Sequence, residues 1–177
     1  MPNFKIGFPP FVIEVAVEDL KHLSRTINRL FSRDDFEGRF YIVAKHSSKC
    51  LDVAGGSRED CAMVFQHSLH GGDNQQWTFV RTPDGYYYIF AKHSGKCLDV
   101  KEYKKEDCAT VWQYAFHGGD NQKWELRATS DGYFHIIAKH SSKALDVSGY
   151  SQEECAIVFQ HALHGGDNQK WKLQRVA

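Results

Sequence analysis

The sequence predicts an all-β domain of twelve short strands in three equal repeats, preceded by a short N-terminal extension. Three observations carry that expectation. HGGDNQQW at 70–77 returns as HGGDNQKW at 117–124 and again at 164–171, 47 residues apart both times. AKHSSKCLDV at 44–53 returns as AKHSGKCLDV at 91–100 and AKHSSKALDV at 138–147, on the same spacing. Segments 41–77 and 135–171 agree at 27 of 37 positions, with no insertion or deletion between copies. Self-similarity on such a period marks units that bury their apolar faces against one another.

The extension, 1–34, has no counterpart in the repeats. Pro9-Pro10 punctuates it, and Phe11 to Val17 reads as extended. Val17, Leu20, Leu23, Ile27, Leu30 and Phe31 then recur at three and four, the pattern of an amphipathic helix. Glu18 and Asp19 stand at its start and Lys21, Arg25, Arg29 and Arg33 follow, which suits the helix dipole. Such a helix cannot bury its stripe alone. It packs on its own domain, pairs with a second copy to make a homodimer, or meets a membrane or larger partner.

The domain, 35–177, divides into repeats at about 35–81, 82–128 and 129–177. In the second copy Asp84-Gly85 signals a turn, and the aromatic and β-branched run Tyr86–Ala91 reads as the first strand. Lys96–Val100, Ala109–Tyr114 and Gln122–Arg127 read as the second, third and fourth. The other copies carry the same four segments. Three four-stranded blades are too few for a propeller, which takes four to eight. A threefold closed arrangement is the better solution.

Composition narrows the function classes. Lys plus Arg and Asp plus Glu both number 22, and the pI is near 7.1, so there is no general electrostatic footprint for nucleic acid. No run of about 18 apolar residues exists, so no transmembrane span is expected. The first residues lack an apolar leader, and five cysteines is an odd count. Free thiols and a cytoplasmic location, or release without a leader, are the expectation.

The triplets Gln75-Gln-Trp77, Gln122-Lys-Trp124 and Gln169-Lys-Trp171, each following a Leu-Asp-Val strand, carry a resemblance. About residues 35 to 177 resemble the ricin B-chain type lectins, and the resemblance implies a β-trefoil. It also implies up to three shallow glycan sites, one per repeat. Their residues would be Asp52, His67, His70 and Asn74 in copy one. In copy two they would be Asp99, Tyr114, His117 and Asn121, and in copy three Asp146, His161, His164 and Asn168. Gln75, Gln122 and Gln169 are counted both with this set and with the scaffold. The chemistry suits sugars, since carboxylates and amides fork onto vicinal hydroxyls and flat rings cover an apolar sugar face. Galactose-type ligands are what the resemblance implies.

The three triplet tryptophans are core. Gly71-Gly72 and their copies provide positive φ for a turn. Asp73, Asp120 and Asp167 organise the loop, and His46, His93 and His140 are structural. Cys61, Cys108 and Cys155 read as small buried residues. His67 with His70, and His161 with His164, sit three apart, but an irregular strand end does not reliably converge such a pair. No metal, cofactor or catalytic residue is therefore expected. The partners expected are glycans or glycoconjugates.

Two departures from the resembling family stand out. Its secreted members join the Cys before Leu-Asp-Val to a second Cys whose position here is Leu69, Phe116 and Leu163, so that bridge cannot form. His67 and His161 also stand where an aromatic is usual. If these rings touch sugar, copies one and three respond to acidification more than copy two. The alternative reading is a trefoil used for protein interaction or toxin targeting, with its sugar sites degenerate.

Overall fold

Each 47-residue copy contributes four strands, and the twelve strands close on themselves. The computed structural model describes residues 3–8, 11–16 and 36–177. The chain divides into two units at Asp35 and Phe36. In the first, β1 (Asn3–Phe8) and β2 (Phe11–Ala16) pair as an antiparallel hairpin. β2 covers most of the segment that reads as extended. The amphipathic helix expected from residue 17 onward lies outside the described residues.

In the second unit the strands are β3 (Phe40–Ala44), β4 (Cys50–Val53), β5 (Ala62–His67), β6 (Trp77–Arg81), β7 (Tyr87–Ala91), β8 (Cys97–Val100), β9 (Ala109–Tyr114), β10 (Lys123–Ala128), β11 (Phe134–Ala138), β12 (Ala144–Val147), β13 (Ala156–His161) and β14 (Trp171–Arg175). The first and fourth strands of each copy form a ring, β3–β6–β7–β10–β11–β14, closed by β14 on β3. The middle strands form three hairpins, β4–β5, β8–β9 and β12–β13. These meet in a triangle of β5, β9 and β13 that caps one end. This is a β-trefoil. Closure leaves no unpaired edge in the ring.

The core is built of symmetry-related triplets. Ile42, Ile89 and Ile136 are fully buried, as are Leu51, Leu98 and Leu145, and Val64, Val111 and Val158. Trp77, Trp124 and Trp171 are also fully buried, and each indole Nε1 donates to the backbone oxygen of its own repeat's leucine at 3.0 Å. Phe36 has no counterpart. Its ring lies 5.5–6.1 Å from those of Phe40, Phe79, Tyr87 and Phe134, four aromatic contacts at one place.

Buried glutamines lock the repeats together. Gln66 donates to Ser151 O and Glu153 O, Gln113 to Ser57 O and Glu59 O, and Gln160 to Lys104 O and Glu106 O. Each thereby pins a loop of the preceding repeat. His46, His93 and His140 bond the same loops, through Ser151 O, Ser57 O and Lys104 O.

The cysteines depart from expectation. Cys50 and Cys97 are buried, and burial pushes their thiols up to about 11 and about 12. Cys61, Cys108 and Cys155 are exposed, not buried, at φ of 64°, 62° and 58°. They stand in the turn that enters β5, β9 and β13, not within a strand. Each backbone N–H donates across to the next repeat, at Gln113 O, Gln160 O and Gln66 O.

Candidate functional site

Each Leu-Asp-Val strand buries its aspartate carboxylate at the floor of a surface cleft. Asp52, Asp99 and Asp146 are all but enclosed. In copy one, Asn74 Nδ2 donates to Asp52 Oδ1 at 2.8 Å and to Val53 O at 3.1 Å, and His70 Nε2 lies 3.0 Å from Asp52 Oδ2. In copy two, His117 Nε2 and Asn121 Nδ2 both lie 3.0 Å from Asp99 Oδ2, and Trp112 Nε1 donates to Oδ1 at 2.8 Å. In copy three, Asn168 holds Asp146 Oδ1 at 2.9 Å, while His164 at 3.2 Å and Gln169 at 2.8 Å hold Oδ2. A carboxylate offers about four lone-pair positions. Two or three are taken here, so each retains capacity for a donor arriving from the cleft.

The HGGD loop sets the imidazole. Gly72, Gly119 and Gly166 N–H donate to the Nδ1 of His70, His117 and His164 at 3.1–3.2 Å. Nδ1 is therefore the acceptor, and the neutral ring carries its proton on Nε2, pointed at the aspartate. The first glycine of each pair, Gly71, Gly118 or Gly165, has φ near +75°. The second does not. It is required for close approach: a Cβ on Gly119 would lie 1.8 Å from Tyr103 Oη and 2.8 Å from Asn121 Oδ1. Copy one has Gly56 where the others have Tyr103 and Tyr150. Gly119→Ala and Gly166→Ala should therefore displace a tyrosine from the cleft wall, while Gly72→Ala meets only the His70 ring and Asn74. Amide and tyrosine NMR shifts of the three variants check this.

Gln75, Gln122 and Gln169 are fully buried. Each Oε1 accepts two loop N–H groups, and each Nε2 donates to a backbone oxygen, at Ser68, Ala115 and Ala162. Enclosed on all sides, they position the loop, the scaffold half of the role expected of them, and Gln169 Nε2 also donates to Asp146 Oδ2 at the cleft floor. Asp73, Asp120 and Asp167 tie their loop to the next repeat through Lys92, Lys139 and Lys45 at 2.7–2.9 Å.

The remaining expected residues come together as drawn, with additions. The first cleft, about 380 Å³, is lined by Asp52, His67, His70 and Asn74 with Phe65 and Cys155. The second, about 300 Å³, has Asp99, Tyr114, His117 and Asn121 with Tyr103, Trp112 and Cys61. The third, about 240 Å³, has Asp146, His161, His164 and Asn168 with Tyr150, Phe159 and Cys108. Trp112 and Tyr114 stack at 5.9 Å and 23°, giving the second cleft the largest aromatic wall. The exposed cysteine in every cleft belongs to the preceding repeat. The missed wall residues had a weak signal, since an aromatic recurs two places before His67, Tyr114 and His161 on the same strand face.

Burial raises the carboxyl groups of Asp52, Asp99 and Asp146 above the usual aspartate range, and hydrogen bonds offset part of this, from the Trp112 indole first at Asp99 and from imidazole and amide at all three. For a raised group, the stabilising contribution is present below the unfolded-state value and is lost as pH rises through the folded-state value. At neutral pH these three carboxylates therefore weigh against stability, which is how functional groups often behave.

The family model described as ricin-type beta-trefoil lectin domain-like matches residues 29–114 and 120–177. This chain belongs to that family. Among solved structures, a designed three-fold symmetric protein, ThreeFoil, is 49% identical over 79% of this chain and 100% of its own, with a TM-score of 0.78. The exo-β-1,3-galactanase 1,3Gal43A of Clostridium thermocellum is 40% identical over 79% of this chain, with a TM-score of 0.77, and the match spans 30% of that enzyme. The ricin B-like lectin of Macrolepiota procera, solved in complex with lactose, is 20% identical over 78% of this chain and 95% of its own, with a TM-score of 0.68. At that identity the likeness shows the fold. The lectin-like domain places its three clefts at equivalent positions of that fold, but their walls differ. Among the described residues no helix is long and apolar enough to cross a membrane.

Proposed function

We propose that this domain is a non-enzymatic lectin with three glycan sites, selective for galactose-type sugars and multivalent toward glycoconjugates. One observation carries the reading: the same buried carboxylate, held by an imidazole and an amide, recurs three times at the floor of an open cleft beside an aromatic wall. The carboxylate accepts a pair of vicinal hydroxyls, and the wall covers the apolar face of the pyranose. The 40% identity to a stretch of an exo-β-1,3-galactanase supports the choice of sugar. The second cleft, with Trp112, Tyr114 and Tyr103, binds most tightly because it offers the most ring surface.

A glycan array tests the reading, with hits expected among galactose-terminated structures. Silence across the array favours a protein-interaction module instead. Lactose titration followed by NMR should move Asn121 and Trp112 side-chain signals before those of the other clefts. Acidification should release sugar from the second cleft as Asp99 takes up a proton, at a pH above the range of an ordinary aspartate because burial raises that group. A midpoint at or below that range counts against Asp99 as the acceptor.

A further inference from the structure

Clefts one and three contain a side-chain set that cleft two lacks. One ligand atom each from Asp52, His67 and His70 lie within 4.8 Å of one another, and the same holds for Asp146, His161 and His164. In cleft two Tyr114 occupies the position of His67 and His161, and no such group forms there among the described residues. Spacing of three at an irregular strand end gives no reliable ground to expect convergence, yet both pairs converge here. His67 and His161 end their strands, and the following loop folds His70 and His164 back, so the paired rings meet edge to face at 5.5 and 5.8 Å.

We propose that clefts one and three each bind a divalent transition-metal ion of the zinc class, and that cleft two does not. Two imidazole nitrogens and one carboxylate oxygen are the donors such ions take, whereas magnesium and calcium prefer oxygen alone. Three protein donors leave a position for water. In His67 and His161 the outer ring nitrogen is already arranged for the task. His67 Nδ1 lies 3.2 Å from Ser68 O and 3.4 Å from Glu154 Oε2, and His161 Nδ1 lies 3.3 Å from Ala162 O. A carbonyl only accepts, so Nδ1 carries the proton and Nε2 keeps its lone pair. Ligating histidines commonly make this outer hydrogen bond.

The second histidine must change its tautomer. His70 now holds its proton on Nε2, toward Asp52, and accepts from Gly72 N–H at Nδ1. An ion at Nε2 moves that proton to Nδ1, where it opposes the Gly72 N–H. His164 and Gly166 follow the same course. Metal capture therefore leaves a mark on the amides of Gly72 and Gly166 and none on that of Gly119.

Titration of the untagged full-length chain with zinc chloride by calorimetry tests the proposal. Two equivalents are expected for the unmodified chain and one for His67→Tyr. His67→Tyr/His161→Tyr should weaken binding at both clefts by at least the 10–100-fold that an outer partner alone is worth. Tyrosine is what copy two carries at this position, so the fold should survive; His67→Gln/His161→Gln is the substitute if melting curves show otherwise. Amide spectra should show Gly72 and Gly166 shifting while Gly119 stays fixed. No binding, undiminished binding in the double variant, or a third equivalent that moves Gly119 overturns the proposal. Sugar is absent throughout, so the outcome is independent of the carbohydrate reading.

Discussion

Trp124→Ala lowers the unfolding free energy of this chain by about 3–5 kcal/mol. The indole is fully buried and its N–H bonds Leu98 O at 3.0 Å, so truncation leaves both a cavity and an orphaned carbonyl. Domains of this size have about 5–15 kcal/mol in all, so the variant should be marginal. Trp77→Ala and Trp171→Ala should cost similar amounts, because their burial and hydrogen bonds match. Urea denaturation of the three variants measures this. A loss below about 1 kcal/mol at any of them would show that its cavity collapses freely.

Asp99→Ala should remove the second glycan site while leaving the others intact. Hydrogen bonds to a charged group contribute about 1.5–3 kcal/mol, so binding in that cleft should weaken about 10–100-fold. Free-sugar titration should then report two sites in place of three. Retention on a dense glycan surface should fall more steeply, because tethered sites raise overall avidity by about 10²–10⁴. The triple variant Asp52→Ala/Asp99→Ala/Asp146→Ala should not bind at all. Truncation strands donors such as Trp112 Nε1, so melting curves must accompany the binding data. Equal losses on free sugar and on the surface would sink the multivalent reading while leaving single-site recognition standing.

Much of the fold is legible from the 47-residue period. Strand segments as short as four residues could be placed because each appears three times in the same order. The buried tryptophans were legible for the same reason. What the period hides is the exchange between repeats. Cys61 resembles a small core residue in sequence, because Ala62 and Val64 follow it. Only the crossing hydrogen bond to Gln113 O shows it turned outward, into the cleft of the next copy. Gly71 and Gly72 look alike as letters, yet one supplies a left-handed backbone and the other the space for a neighbouring ring. Gln75 reads as either sugar contact or scaffold, and its burial and its three bonds to the loop backbone show the scaffold role. Phe36, which has no aromatic counterpart in the other two repeats, could not be assigned by periodicity at all.

The sequence alone thus determined the number of units, their strands and the aromatic triplet of the core, and it marked the aspartate, histidine and asparagine that recur together in each copy. These are local or periodic properties, and repetition amplifies them above noise. The tertiary structure decided which side chains share a cleft, which face of a loop residue is open, and whether two histidines three apart point to one place. Those depend on how the loop after β5 or β13 folds back over the aspartate of its own hairpin. Gln75 or Gln169 braces that loop through its own backbone, and Asn74 or Asn168 ties it to an aspartate 22 residues earlier, a pairing that no local pattern reports.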